Sequence, residues 1–271
     1  MVTVLNLTSL QNEIQKFQGN ASRSSIQTNY FDQSLLSRTF KVTRCHNGLV
    51  FIDKASEASI GRLFYCFLDN NFDFDFDFDF DFDFDFDLVC DVLLKTPLNY
   101  QLANFFNMNG FKAYAQLKKM SMINSSIEQQ EAGKDISIAK DKDISSLKKL
   151  FEENFDRFTE RPPSIGDIES AIQNEDIYCK FDNFGNILGF YWNRNMKFLS
   201  ELRYLFVINK YRGLGIGKEL LSSCLFNTSK INRKQLWVLE NNPSAINLYK
   251  KFGYEFDGLV DHIFIRVNNH K

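Results

Sequence analysis

Histidine, proline and tryptophan are scarce in this chain of 271 residues, which has three His, four Pro and two Trp. The three histidines (His46, His262, His270) and five dispersed cysteines form no Cys-x-x-Cys or His-x-x-x-His pattern, so no metal site is expected. The cysteines (Cys45, Cys66, Cys90, Cys179, Cys224) are odd in number, which argues against a disulfide framework and for a reducing, cytoplasmic setting. Cys45 and His46 are chain neighbours, and neighbours seldom face each other as a catalytic pair. Long apolar runs are also missing: no segment reaches the ~20 residues of a membrane-spanning helix, and the N-terminus lacks a basic, then apolar, leader. No membrane partner is expected. Charge of one sign is not in excess, with 32 basic and 34 acidic residues and a net charge of −2, so nothing points to nucleic acid.

Phenylalanine is plentiful, at 29 residues. Eight of them lie in an unbroken Phe-Asp repeat from Phe72 to Asp87. Strict alternation is the period of a strand, but sixteen residues would span ~50 Å, and aligned Asp side chains repel. The repeat is therefore expected to be a strand in part and a loop elsewhere. A calcium ladder is disfavoured, because calcium ligands converge from a tight loop whereas a strand spreads them along a line.

The length allows two domains. In the first half, strand-like runs at Phe40–Thr43, Leu49–Ile52 and Arg62–Leu68 precede the repeat. After it come a strand at Leu88–Leu94, a helix from Tyr100 ended by Asn109-Gly110, and a strand at 111–122. Residues 124–135 are polar and aperiodic, which reads as a linker between domains at 1–123 and 136–271. The second half reads as a short strand at Ile136–Ala139, helices after Asp143 and over Ile165–Ile172, and a hairpin of Ile177–Phe181 with Ile187–Trp192. A strand at 201–208, a helix at 216–226 and a strand at Leu236–Leu239 follow. Asn242-Pro243 opens a last helix that Gly253 closes, and strands at Tyr254–Phe256 and His262–Val267 finish the sheet.

The centre of this half is Arg212-Gly213-Leu214-Gly215-Ile216-Gly217-Lys218-Glu219, between a strand and a helix. Glycines where a helix begins let a ligand approach the unpaired first-turn N–H groups, so this is a candidate anion site. Spacing excludes the two commonest kinds: Lys218 stands where a dinucleotide fingerprint needs glycine, and Arg212 and Glu219 do not fit a P-loop.

Arg212-x-x-Gly215-x-Gly217 does resemble the [Gln/Arg]-x-x-Gly-x-[Gly/Ala] motif of the GNAT (general-control-related N-acetyltransferase) superfamily. The terminal Asn242-Pro-Ser-Ala-x-x-Leu-Tyr249-x-x-Phe-Gly-Tyr segment and the element order over about 136–267 extend the resemblance. It implies an α/β (α+β) fold with a mixed, mostly antiparallel sheet flanked by helices. It also implies acetyl-CoA as co-substrate, its pyrophosphate held by the main chain of 212–219 with charge from Arg212 and Lys218. Phe206, Val207 and Ile208 resemble the segment whose main chain binds the pantetheine arm and acetyl carbonyl, and Asn242 matches a position that contacts CoA. Tyr249 occupies the general-acid position, although a core tyrosine would suit the same helical stripe. Glu201 lies eleven residues before Arg212, the separation seen for the catalytic glutamate in some histone-acetylating relatives; Glu240 is the alternative base, and many relatives have no dedicated base.

The first half echoes the second. Leu102, Asn104, Phe106, Gly110 and Phe111 have the spacing of Ala245, Asn247, Tyr249, Gly253 and Tyr254, and the glycine loop has no counterpart there. The expectation is two tandem GNAT-like domains, the first degenerate and without CoA. The function expected is acetyl transfer from acetyl-CoA to a primary amine, in a small molecule (amino sugar, amino acid, polyamine) or in a peptide or protein. A catalytically silent CoA-binding interaction module is the competing expectation.

Overall fold

The computed structural model describes residues 2–15, 22–23, 39–45, 48–54, 60–67, 86–95, 97–98, 100–123 and 135–268. In chain order the first elements are β1 (Val2–Asn6), α1 (Leu7–Gln15), β2 (Ser22–Arg23), β3 (Thr39–Cys45), β4 (Gly48–Lys54), β5 (Ile60–Phe67), β6 (Asp87–Leu94), α2 (Tyr100–Met108) and β7 (Lys112–Ile123). There follow β8 (Ile136–Ile138), α3 (Ile144–Asn154), α4 (Ile165–Gln173), β9 (Ile177–Phe181), β10 (Ile187–Met196), β11 (Leu199–Val207), α5 (Ile216–Asn227), β12 (Arg233–Leu239), α6 (Pro243–Lys251) and β13 (Glu255–Arg266). Strand pairing is largely antiparallel with helices alongside, and β5–β6 and β11–β12 are parallel pairs. Among the described residues no helix is long and apolar enough to cross a membrane.

Two compact units emerge, one of Met1–Leu117 with Gly258–Lys271 and one of Lys118–Asp257. The expected linker lies almost wholly outside the described residues, and the units divide inside β7 and β13 instead. The two strands expected at Tyr254–Phe256 and His262–Val267 are one strand, β13. The sequence Asp257-Gly258 reads as a turn, but Gly258 takes φ +85° within the strand and does not reverse it.

In the first unit the strands run β1-β3-β4-β5-β6-β13, with β2 on the edge of β5. Leu10 and Ile14 of α1 pack on Phe40, Phe51 and Phe64, while Leu102 and Phe106 of α2 pack with Leu63, Leu88, Val92 and Phe264. Residues 72–85 of the Phe-Asp repeat lie outside the described residues; in its last pair Phe86 is buried and Asp87 begins β6. A buried ion pair ties the parallel strands, with Arg62 Nη1 2.8 Å from Asp91 Oδ2.

In the second unit the order is β7-β12-β11-β10-β9-β8. One face carries α3 and α4, whose Leu147, Phe151, Ile168 and Ile172 meet Phe190, Trp192, Tyr204 and Phe206. The other face carries α5 and α6, with Leu220, Leu221, Cys224 and Tyr249 on Tyr191, Leu202 and Leu236. Asp143, expected to open α3, is its N-cap but makes no side-chain cap bond, whereas α4 starts on one. Ser164 Oγ accepts the Asp167 N–H at 3.1 Å while Asp167 Oδ2 accepts the Ser164 N–H at 2.9 Å, a reciprocal cap.

The two units repeat one ending. After α2, Phe111 N–H donates to Phe106 O (2.9 Å) and Gly110 N–H to Asn107 O (3.0 Å); after α6, Tyr254 N–H donates to Tyr249 O (3.1 Å) and Gly253 N–H to Lys250 O (3.0 Å). Both glycines are left-handed, at φ +76° and +88°, as this helix stop requires. Phe106–Phe111 and Tyr249–Tyr254 are both edge-on aromatic pairs, with centroids 5.6 and 5.9 Å apart. The first unit thus holds Phe106, which has no hydroxyl, where the second holds Tyr249.

Candidate functional site

The site begins where β11 and β12 part. Their parallel register runs only from Leu199–Arg233 to Leu202–Leu236, although both strands continue, to Val207 and Leu239. The parting has a local cause. Against β10, Trp192 faces Tyr204 and Asn193 faces Leu202, which leaves Arg203 as an extra residue in β11. Such a bulge bends a strand and raises its twist, turning its far end away from one neighbour.

Main-chain direction in the parted segment follows from one bond. Ile208 N–H donates to Leu188 O at 3.0 Å, so Ile208 points to β10. Antiparallel strands alternate, so Phe206 and Tyr204 also point to β10, while Leu205 and Val207 turn their N–H and C=O groups to the opening. Of the three residues read from the sequence here, Val207 is therefore the one whose main chain faces the opening, and Leu205 joins it. Arg212 Nε donates to the Val207 carbonyl at 3.0 Å and its guanidinium lies 5.8 Å from the Phe206 ring centroid. Gly189 holds β10 close to this segment: a Cβ there would lie 2.6 Å from Phe206 O. An isolated glycine inside an apolar strand is the sequence sign of such an approach.

Beyond Val207 the chain turns into the glycine loop. Gly213 and Gly215 take φ +82° and +84°, and Gly215 is the N-cap of α5, with no side-chain cap. The first intrahelical bond runs from Glu219 N–H to Gly215 O at 3.1 Å. The N–H groups of Ile216, Gly217 and Lys218 precede it and have no acceptor within the helix. Arg212 N–H is spent on Asn209 O at 3.2 Å. The donors of the expected 212–219 stretch thus narrow to 213–218. Leu214 and Lys218 are exposed, Ile216 is buried under the helix, and the Glu219 carboxylate pairs with Lys180 at 2.6 Å. Lys180 thereby offsets the negative charge that Glu219 places beside the helix start.

Tyr249 lies on α6, buried in the same core as Ile216 and Leu220. Burial, with the Cys224 thiol nearby, pushes its phenol well above the ordinary tyrosine value, so the hydroxyl stays protonated. Cys224 itself is pushed up to about 12 by burial. Asn242 Oδ1 accepts the Ala245 N–H at 3.1 Å, an N-cap bond that accounts for this residue structurally. Glu201 sits in the still-paired part of β11, half-buried, and its Oε1 accepts from Gln235 Nε2 at 3.0 Å. Glu240 is exposed and pairs with Lys118 at 2.6 Å.

Three charged residues near the parting were missed in the sequence because nothing in their spacing marks them. Arg203 stands on the bulge, exposed, its guanidinium 5.4 Å from the Trp192 centroid and 5.5 Å from that of Tyr204. Asp176, just before β9, feels both Arg194 and Arg203; burial nevertheless raises its carboxyl to about 6. Among the described residues no cluster of three or more His, Cys, Asp or Glu is placed to hold a metal ion.

Residues 173–256 match the family model of the acetyltransferase (GNAT) domain. The spermine/spermidine N(1)-acetyltransferase of Bacillus subtilis (strain 168) is 37% identical over 59 residues, which cover 21% of this chain and 39% of that protein. The fold is shared with a GCN5-related N-acetyltransferase from Sphaerobacter thermophilus (TM-score 0.58, 12% identity, 82% of this chain and 80% of that one). It is also shared with a tandem GNAT protein from the clavulanic acid biosynthesis pathway (TM-score 0.55, 12% identity, 84% of this chain and 82% of that one).

Proposed function

Because the C-terminal half of this chain carries a GNAT-superfamily domain, we propose that the protein is an N-acetyltransferase that moves the acetyl group of acetyl-CoA to a primary amine. The observation that carries this reading is the parting of β11 from β12 directly before a glycine-rich helix start. An extended thioester could lie along the free strand edge with its pyrophosphate on the N–H groups of 213–218. The first unit, with Phe106 in place of the tyrosine, takes no part in the chemistry.

Both substrates meet in one complex, so alignment supplies much of the rate. The amine nitrogen attacks the thioester carbonyl, a C–N bond forms and the C–S bond breaks. The N–H groups of Leu205 and Val207 stabilise the oxyanion. Tyr249 gives its proton to the departing thiolate; its raised pKa keeps that proton available across the neutral range. Glu201 takes the amine proton through an ordered water; Glu240, held by Lys118, is the poorer base.

The test follows free thiol release from acetyl-CoA over a panel of amines, beside a calorimetric titration of acetyl-CoA alone. Amine-dependent release is expected. Tight acetyl-CoA binding with no release for any amine would favour a silent binding module, and absence of binding would remove the site.

A further inference from the structure

With Glu201 as the base of the reading above, the acceptor amine meets the parting on the sheet face that Glu201 shares, beside the core that α3 and α4 form there. On this face the alternation of β11 places Glu201, Tyr204 and Phe206, with Arg203 on the bulge between them. Arg194 is in register with Glu201 and so shares the face. The loop between α3 and α4 completes the rim: the Tyr204 hydroxyl donates to Arg161 O at 2.7 Å.

The charges on this rim are not equivalent. Three of its carboxylates are engaged within the chain: Glu160 Oε2 accepts the Asp156 N–H at 2.7 Å, Asp167 Oδ2 accepts from Ser164, and Glu201 accepts from Gln235. The Asp176 carboxyl, raised to about 6 by burial, feels Arg194 and Arg203. Arg203 directly follows Leu202, the last residue of β11 in register with β12, and is exposed, and the rings of Trp192 and Tyr204 hold its guanidinium in place. A fixed guanidinium beside an acceptor pocket attracts a carboxylate or phosphate in fork geometry and repels a second ammonium.

Building on the acetyltransferase reading, we propose that the acceptor is an amine that also carries an anionic group, and that Arg203, with Arg194 behind it, is the subsite that reads this group. The polyamines acted on by the Bacillus subtilis relative lack such a group, so this chain would differ from it in acceptor class.

The experiment compares initial rates for α-amino acids against their amides, glucosamine 6-phosphate against glucosamine, and spermidine, for the wild type, Arg203→Gln and Arg203→Lys. One charge-assisted contact corresponds to about a tenfold or larger preference for the anionic member of a pair. Arg203→Gln should remove that preference through KM with acetyl-CoA affinity retained, and Arg203→Lys should restore part of it. The amino-acid and sugar-phosphate arms tell a carboxylate from a phosphate. Preference for spermidine, or a preference for anionic acceptors unchanged in Arg203→Gln, overturns the proposal and leaves the transferase reading standing. Acetyl-CoA binding without turnover of any anionic amine also overturns it; no acetyl-CoA binding defeats both.

Discussion

Gly215→Ala separates the conformation of the glycine loop from its contacts. No atom lies within 4 Å of a Cβ built at Gly215, so the substitution meets no clash. Its whole cost is the left-handed φ of +84°, which an L-residue holds at about 1–2 kcal/mol. The variant can relax that strain by leaving the left-handed region, which swings the N–H groups of 216–218 off their common aim. An anion must then restore the geometry, and its affinity falls by the same free energy, roughly 5- to 30-fold. Gly217→Ala is the control. That glycine is not left-handed, and a Cβ there meets Leu248 Cδ2 at 3.6 Å and Val207 Cγ2 at 3.8 Å, ordinary contacts. Alanine in the first turn gains up to roughly 1 kcal/mol of helix propensity, so Tm should rise by a few degrees with acetyl-CoA affinity unchanged. Differential scanning fluorimetry reads the first quantity and titration calorimetry the second. Equal affinity in both variants, or loss in Gly217→Ala alone, refutes the assignment of the loop as the pyrophosphate cradle.

Tyr249→Phe should reduce kcat by about two orders of magnitude or more while acetyl-CoA affinity and Tm hold, as removal of a general acid does; unchanged kcat strips Tyr249 of that role. Asp176 has a folded pKa raised to about 6, above its unfolded value, so the folded state binds more protons between about pH 4 and 6 and loses stability as pH rises through that window. Asp176→Asn should therefore raise Tm relative to the wild type increasingly from pH 4 to 6 and by a constant amount above it; a gap that closes as pH rises contradicts the burial argument. Arg62→Met strands the buried Asp91 carboxylate and should cost about 3–5 kcal/mol in urea unfolding, much of it recovered by the double variant Arg62→Met, Asp91→Leu. No recovery would mean that Arg62 acts through packing alone.

The sequence by itself determined what is local and periodic. Alternation and 3.6-residue spacing placed the strands and helices of 136–256, Asn242-Pro243 and Gly253 bounded α6, and the glycine spacing picked out one glycine-rich helix start. The matching helix stops at Gly110 and Gly253 were legible for the same reason, since each needs only a few consecutive residues.

Tertiary structure alone decided which main-chain groups remain available and which charges gather. Nothing in Phe206-Val207-Ile208 says which amide faces the opening; the single bond from Ile208 to Leu188 sets that parity, and it depends on register against another strand. The bulge at Arg203 likewise exists only against β10. The ion pair of the Glu219 carboxylate with Lys180, thirty-nine positions away in the chain, is equally a product of the fold. The last strand of the chain joining the first unit was equally invisible, because β-pairing is long-range and one strand edge offers the same N–H and C=O groups as another. Local chemistry wrote the glycine loop; register and pairing between distant strands parted β11 from β12 beside it.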